Sequence, residues 1–249
     1  MAPNRGLVTR SNLALWGATL MALAMLIALG TWQMQRRDWK LGLMERIAQR
    51  AHGEPISLTL AKDLWQRSQD VEYYRVLLVG RFQHEQERHL YAIMQSQAGW
   101  RIITPLVTSS GDVVLVDRGF VPDALKEPSA RSQGQIDGVV ELIGLGRAPG
   151  QRNAFTPDND LARNRWFWRD LPGLAAALPA EQAARVAPFI VEAEAEPVPG
   201  GWPRGGVTRL VIANRHLEYA LTWYGLAVTL FLIAVFFTRA RMRERAEAV

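Results

Sequence analysis

The residues whose types and spacing could best support chemistry lie near the C-terminus, where a histidine stands at the start of a long apolar run. The stretch reads NRHLEYALTWYGLA, and on a helix His216, Tyr219 and Trp223 fall on one face. Such a face can hold a flat apolar macrocycle, with the imidazole as axial ligand to its iron. An interface histidine beside an ordinary aromatic belt explains the same spacing, and the spacing alone favours this second interpretation.

Arginines flank the same position in the sequence. Arg36, Arg37, Arg209 and Arg215 would lie near one membrane rim if the two apolar segments of the chain packed together. Guanidinium groups suit carboxylates, such as the propionates of a haem. They suit lipid phosphates equally well, and physical chemistry alone favours the lipid.

No other motif indicates catalysis or a metal centre. The chain has no cysteine, which excludes thiolate metal sites and CxxC redox chemistry. HExxH, GxSxG, Walker and GxGxxG patterns are also absent. His84 and His89 flank two glutamates in a predicted turn, and Glu192, Glu194 and Glu196 alternate along a predicted edge. For both groups a solvated surface is favoured over a metal or acid–base site.

Two charge-free apolar runs enclose the middle of the 249-residue chain. Each is close to the roughly 20 residues that cross a bilayer as a helix. Arg5, Arg10 and the small residues Ala28 and Gly30 also fit a cleaved signal peptide. The first run is longer than the usual apolar region of such a peptide, which favours a retained helix.

The charges near the two runs predict the orientation of the chain. A dense basic tail follows the second run and favours the cytoplasmic face, whereas a long middle segment is translocated largely regardless of its charge. The net charge of +5 reflects these flanking arginines, and no nucleic-acid motif accompanies it. The predicted parts are a cytoplasmic N-terminus 1–12, a transmembrane helix 13–32, an extracytoplasmic domain 33–216, a transmembrane helix 217–238 and a cytoplasmic tail 239–249.

The middle segment reads as one β-rich domain. Apolar spacing predicts that the first helix continues as an amphipathic stalk to Arg50, before Gly53-Glu54-Pro55 stops it. A turn at 109–112 predicts a hairpin between Trp100–Val107 and Val113–Val116, with Pro105 at an edge or bulge. Further strands are predicted at 74–82, 89–93, 139–145, 189–191 and 207–213, and short helices at 175–178 and 181–186. The predicted fold class is membrane α+β: two transmembrane helices flanking one antiparallel, barrel-like domain with a few short helices.

Six motifs, in order, resemble those of the Surfeit locus protein 1 family, the assembly factors of haem–copper terminal oxidases. They extend over nearly the whole chain, and two of them coincide with the apolar runs. The motifs are LGTWQMQRRDWK at 29–40, YRVLLVGRF at 74–82, GWRIITPL at 99–106, VLVDRGFVP at 114–122, NRWFWRD at 164–170 and HLEYALTWYGLA at 216–227.

The resemblance implies a membrane-bound assembly factor for cytochrome c oxidase, not an enzyme, that receives haem a and passes it to the catalytic subunit. His216 matches the family's proposed haem ligand. We expect Tyr219 and Trp223 to pack on the macrocycle and Arg215 and Arg37 to lie near the propionates. The implied location is a bacterial inner membrane, with haem A synthase as a further candidate partner, lipid as surroundings and no nucleic acid.

Three alternatives stay open at this point. The protein could be a chaperone of oxidase subunits that binds no haem, an enzyme of haem a synthesis or hydrolysis, or a tethered domain with no cofactor. The missing catalytic constellation argues against the enzyme. The aromatic residues Trp166, Phe167 and Trp168 are candidate docking anchors, and equally candidates for the core of the β-rich domain.

Overall fold

The structure, a computed structural model, describes residues 10–208 and 213–247. The chain divides into two compact units, one formed by Met1–Glu45 with Val211–Val249 and the other by Arg46–Leu210. In the described residues the α-helices are α1 (Arg10–Ala51), α2 (Leu58–Ser68), α3 (Leu171–Ala176), α4 (Ala180–Ala183) and α5 (His216–Glu247).

The first unit is a pair of long helices, α5 and most of α1. Both are long and apolar enough to cross a membrane. Helix α1 runs without a break through Gly30 to Ala51, so the predicted stalk is the continuation of the predicted span. Helix α5 begins at His216 and extends to Glu247, beyond the apolar run itself.

In its described residues the second unit contains one mixed sheet of eight strands. In chain order these are β1 (Ile56–Ser57), β2 (Arg75–Phe82), β3 (Arg88–Met94), β4 (Gln97–Thr108), β5 (Val113–Pro122), β6 (Val140–Arg147), β7 (Arg165–Trp166) and β8 (Val186–Ala193). They lie in the order β1-β2-β6-β8-β5-β4-β3-β7, and a further pairing of β2 with β4 closes five of them into a barrel. Most pairs are antiparallel, whereas β1–β2, β3–β7 and β5–β8 are parallel. The predicted fold class is therefore confirmed.

The hairpin predicted from the turn after β4 is also present. Strands β4 and β5 pair antiparallel from Val107↔Val113 to Gly99↔Pro122, with an irregularity between Arg101 and Ile103. Pro105 lies where β4 stops pairing with β3 and begins to pair with β2. Because proline donates no backbone hydrogen bond, it fits the place where one neighbouring strand replaces another.

Other predictions differ from the structure in detail. The helix expected at 181–186 is the shorter α4, and Val186 already belongs to β8. Helix α2 was not predicted; Ser57 caps it by accepting a hydrogen bond from the Leu60 amide at 3.3 Å. The strand expected at 207–213 lies mostly outside the described residues.

The core of the β-rich domain consists of separate apolar clusters. Its largest cluster surrounds Phe189, which packs against Trp65 of α2 with ring centroids 6.2 Å apart. A second cluster contains Trp166, so the core alternative is correct for this residue. Phe167 and Trp168 are half-buried. Burying one large aromatic side chain contributes on the order of 2–3 kcal/mol, which makes these clusters the main source of stability.

Candidate functional site

The helix pair packs along a seam whose most buried members are small: threonine, glycine and alanine. Small side chains let two helix backbones approach each other, which favours association within a membrane. The shielded positions repeat with alternating steps of three and four, the period of helices that pack closely side by side. On α1 they include Thr19, Leu23, Leu26, Gly30 and Gln33, and on α5 they include His216, Ala220, Trp223, Ala227, Leu230 and Ala234.

Gly30 marks a close approach along this seam. A β-carbon placed there would lie 2.6 Å from Cε1 of Tyr224, well inside van der Waals contact. Next to it, the hydroxyl groups of Thr31 and Tyr224 are 3.2 Å apart. The glycine therefore makes room for an aromatic ring of the opposite helix.

His216 lies at the first turn of α5 and is half-buried. Its Nδ1 is 2.7 Å from Oε1 of Gln33 on α1. The structure gives the other ring nitrogen, Nε2, no hydrogen bond within the described residues. Metal-bound histidines commonly donate a hydrogen bond through the ring nitrogen that does not bind the metal. His216 therefore keeps one ring nitrogen without a protein partner among the described residues.

The aromatic residues predicted to flank His216 occupy different surroundings. Trp223 lies in the seam, where its buried indole N–H has no hydrogen-bond partner among the described residues. Tyr219 lies beside the seam and is 54% exposed. The structure thus brings Trp223 onto the His216 face of the helix pair and leaves Tyr219 on the outer surface of α5.

The two arginines predicted near the rim are both engaged locally. Arg215 pairs with Glu218 at 3.0 Å, and Arg37 pairs with Asp38 at 3.0 Å. Arg36 lies over the ring of Trp39, 4.3 Å from its centroid. Arg209 is outside the described residues. Exposed ion pairs of this kind contribute at most about 1 kcal/mol, so another anion can displace them at low cost.

The β-rich domain holds two buried polar clusters that the sequence did not reveal. In the first, His89 Nε2 is 2.8 Å from Glu87 Oε1, and Arg131 contacts the same oxygen. All three side chains are buried. Burial raises the pKa of Glu87, but the hydrogen bond from His89 and the charge of Arg131 outweigh it, so the pKa is lowered. The prediction of a solvated turn was wrong for His89, because these partners enclose it.

His84 belongs to the edge of the same cluster. Its Nε2 is 2.9 Å from the Ile136 carbonyl oxygen, and its Nδ1 is 3.3 Å from Arg118 Nη1. Burial, followed by the nearby Arg118 charge, lowers the pKa of His84. Burial likewise lowers the pKa of Arg118 to about 10. His84 lies in a turn, as predicted, but is half-buried and not fully solvated.

The second cluster surrounds Glu192, which is 2% exposed. Arg169 Nη1 lies 2.8 Å from its carboxylate and Arg147 Nη1 lies 3.1 Å from it. Arg101 is 3.2 Å from Glu192 and 2.7 Å from Asp117. Burial raises the pKa of Glu192, but the three arginines outweigh it and lower the pKa. The prediction of a solvated edge was wrong here.

The remaining glutamates of the alternating stretch are closer to expectation. Glu194 is half-buried and pairs with Arg75 at 2.7 Å, and Glu196 is exposed. No group of three or more His, Asp or Glu side chains in the described residues is arranged to hold a metal ion. Within each of the clusters around Glu87 and Glu192, the carboxylates and their cationic partners instead neutralise one another.

Several motif residues of the β-rich domain are explained by these clusters. Asp117 and Arg169 belong to the Glu192 cluster, and Asn164 donates a hydrogen bond to the Glu87 carbonyl oxygen at 2.9 Å. Asp170 caps α3 by accepting from the Gly173 amide at 3.1 Å. The two motifs that lie outside the β-rich domain, at 29–40 and 216–227, meet along the helix seam.

Together these features define a class: a membrane protein with two candidate spanning helices and one barrel-like β domain. A family model described as the SURF1 family matches residues 20–228. The chain therefore belongs to the SURF1 family, a family of cytochrome oxidase assembly factors.

Individual relatives cover most of the chain. Surfeit locus protein 1 of Xenopus tropicalis is 38% identical over 82% of this chain and 70% of its own length. Surfeit locus protein 1 of Homo sapiens is 36% identical over 80% of this chain and 69% of its own length. The SURF1-like protein of Monosiga brevicollis is 35% identical over 90% of this chain and 88% of its own length.

Proposed function

We propose that this protein binds haem a at its helix pair and hands it to the catalytic subunit of cytochrome c oxidase. The observation that carries the proposal is the hydrogen bonding of the two ring nitrogens of His216. Its Nδ1 is engaged by Gln33 at 2.7 Å, while Nε2 has no protein partner within the described residues. One imidazole with one available nitrogen on an apolar helix pair suits a haem better than a bare metal ion, which needs several protein ligands.

The surrounding residues fit a cargo that is held and then released. His216 would hold the haem iron, and Trp223, which lies on the same face of the helix pair, would offer aromatic surface to the macrocycle. Tyr219 lies beside the seam on the outer surface of α5 and is not part of this face. Arg215 and Arg37 are available to the propionates because their present carboxylate partners hold them only weakly. A single axial ligand with exchangeable ion pairs gives moderate affinity, which delivery to another protein requires.

The same proposal places the protein in a bacterial inner membrane. Both termini are cytoplasmic and the β-rich domain is periplasmic, because the arginines after the second apolar run favour the cytoplasmic side. The partners are the catalytic oxidase subunit as acceptor, haem A synthase as donor, and membrane lipid around the helices. The protein acts as a carrier, without catalysis and without nucleic acid.

One observation favours a haem-free chaperone as the second candidate. Arg37 and Arg215 are already paired with Asp38 and Glu218, so a propionate would have to displace these carboxylates before it could bind. In that case the family function would rest on contacts with oxidase subunits, and His216 would be a helix-seam residue.

A spectrum separates the two candidates. The protein is co-expressed with haem a synthesis enzymes, purified in detergent and examined by reduced-minus-oxidised difference spectroscopy. We expect a haem a band in the wild type and at least about tenfold less haem per protein in His216→Ala. His52→Ala is the matched control, because the His52 side chain is exposed and its hydrogen bond is to the Ala48 carbonyl oxygen of its own helix. Equal bands in all three proteins would move the ligand elsewhere, and no band in any would favour the chaperone.

A further inference from the structure

The contact between His216 and Gln33 joins the two helices through side chains far apart in the sequence. The Nδ1–Oε1 distance of 2.7 Å is that of a short, well-formed hydrogen bond. Both side chains are half-buried at the seam. Hydrogen bonds are stronger in such low-dielectric surroundings, so this contact constrains the imidazole ring.

The identity of the acceptor decides which ring nitrogen carries the proton. A neutral imidazole has one N–H donor and one acceptor nitrogen. The amide oxygen of Gln33 only accepts, so His216 Nδ1 must be the donor. Nε2 then keeps its lone pair, which is the form of histidine that can bind a metal.

We propose that Gln33 is a positioning residue that holds His216 in the Nδ1–H tautomer and thereby presents Nε2 as the ligand atom. The use of Nε2 as a haem ligand rests on the proposed function. The tautomer itself is a property of the haem-free protein and can be tested without haem.

The close approach at Gly30 supports this role. Gly30 and Gln33 lie three residues apart on one face of α1, about one turn from each other. Gly30 admits the Tyr224 ring, so the two helices lie close together about one turn from Gln33, the residue that reaches His216. The close approach and the hydrogen bond both join the helices along this face of α1.

A neutral acceptor also suits a carrier. A carboxylate in place of the amide would draw the Nδ1 proton more strongly and make Nε2 a more basic ligand. Such a ligand stabilises the oxidised iron and holds it more tightly. Glutamine orients the ring without increasing the basicity of Nε2, so the haem is bound less tightly and can be released to an acceptor.

The first test uses haem-free protein in detergent, with nitrogen-15 in its histidines. Two-dimensional NMR of the imidazole rings distinguishes the two tautomers, and a His216→Gln variant assigns the His216 signals among the four histidines. At a pH of about 8.5, where imidazole is neutral, we expect the Nδ1–H tautomer in the wild type and in Gln33→Glu. Gln33→Leu should move His216 towards the Nε2–H tautomer that free histidine prefers.

Thr31→Val is the matched control, because it removes a different hydrogen bond between the helices, the one between Thr31 and Tyr224, and leaves His216 unchanged. Its His216 signals should match those of the wild type. A wild-type protein in the Nε2–H tautomer would overturn the proposal. So would identical spectra of Gln33→Leu and the wild type.

The second test measures the midpoint potential and affinity of the haem-loaded variants. We expect Gln33→Leu to bind haem on the order of tenfold more weakly, Gln33→Glu to bind with a lowered midpoint potential, and Thr31→Val to match the wild type. If the tautomer is as proposed but neither the wild type nor any variant binds haem, the proposed function fails and the positioning role stands. If haem binds equally to all variants with one potential, the positioning role fails and the proposed function stands.

Discussion

Two histidines in two regions of the molecule show how surroundings decide what a side chain can do. His216, in the helix pair, has a neutral amide partner at 2.7 Å and one ring nitrogen without a protein partner among the described residues. His89, in the β-rich domain, is buried and binds the Glu87 carboxylate through Nε2 at 2.8 Å. Its Nδ1 is enclosed and out of reach of a ligand.

The difference extends to the regions themselves. Small side chains and a close approach at Gly30 bring the two helices together, and the hydrogen bonds between Thr31 and Tyr224 and between His216 and Gln33 link neutral groups. The β-rich domain encloses ionised groups around Glu87 and Glu192, which need their partners to remain buried. We expect steric changes to break the first region and charge changes to break the second.

The largest effect is expected where a buried charge loses its partner. Glu87→Ala leaves the Arg131 guanidinium, whose side chain is 2% exposed, without its counter-charge. Breaking one side of a buried ion pair costs about 3–5 kcal/mol of unfolding free energy. Denaturant unfolding of the full chain in detergent, followed by tryptophan fluorescence, measures this loss.

Glu85→Ala is the matched control for this substitution. Glu85 lies two residues earlier in the same turn and is exposed, so its removal should change stability by less than about 0.5 kcal/mol. Equal stability of the two variants would mean that the Glu87 cluster contributes no more than a surface charge.

The next largest effect is expected from filling the seam. Gly30→Leu places side-chain atoms where the Tyr224 ring lies, 2.6 Å from the added β-carbon. Overpacking of this kind costs about 1–3 kcal/mol and should weaken the helix pair. An unfolding titration with sodium dodecyl sulfate checks it. Gly17→Leu on the same helix is the control, because a β-carbon there meets nothing within 4 Å. Identical midpoints would show that the approach at Gly30 does not stabilise the pair.

The smallest effect concerns the pH response of the β-rich domain. Burial raises the pKa of Asp117 to about 6; Arg101 opposes this shift, and Glu192 adds to it. Since the folded state then binds more protons than the unfolded state between about pH 4 and 6, this carboxyl makes the protein less stable as the pH rises through that window. Asp117→Asn is uncharged throughout and should lack the response.

The measurement is the difference in unfolding free energy between Asp117→Asn and the wild type from about pH 4.5 to 6. We expect the wild type to lose on the order of 1–2 kcal/mol relative to the variant across this range. The lowered pKa values of Glu87 and Glu192 act in the opposite direction, at pH values below their ordinary range. A flat difference would show that Asp117 is already ionised in the folded protein at the acidic end of the range.

Much of the fold could be predicted from local patterns. Apolar runs of about 20 residues identified both long helices, and a turn between two apolar stretches identified the β4–β5 hairpin. The short helix α2 was missed because its amphipathic pattern extends over only 11 residues. The parallel pairing of β5 with β8 was also beyond reach, because the sequence between them does not state which strands become neighbours.

The candidate site was predictable only in part. His216 stands out because a polar segment meets an apolar one there, and Trp223 follows at helical spacing. Gln33 has no local feature that marks it as a partner of His216. The burial of Glu192 was equally hidden, because its arginine partners come from three other parts of the chain.

The sequence by itself determined the two apolar helices, the β-rich middle, the family motifs and the candidate ligand His216, because each depends on neighbouring residues or on short repeats. Only the tertiary structure decided that Gln33 engages His216, that Gly30 admits Tyr224, and that Glu87 and Glu192 are buried. Hydrogen bonding and burial depend on which distant segments the fold brings together, and a linear pattern does not contain that information.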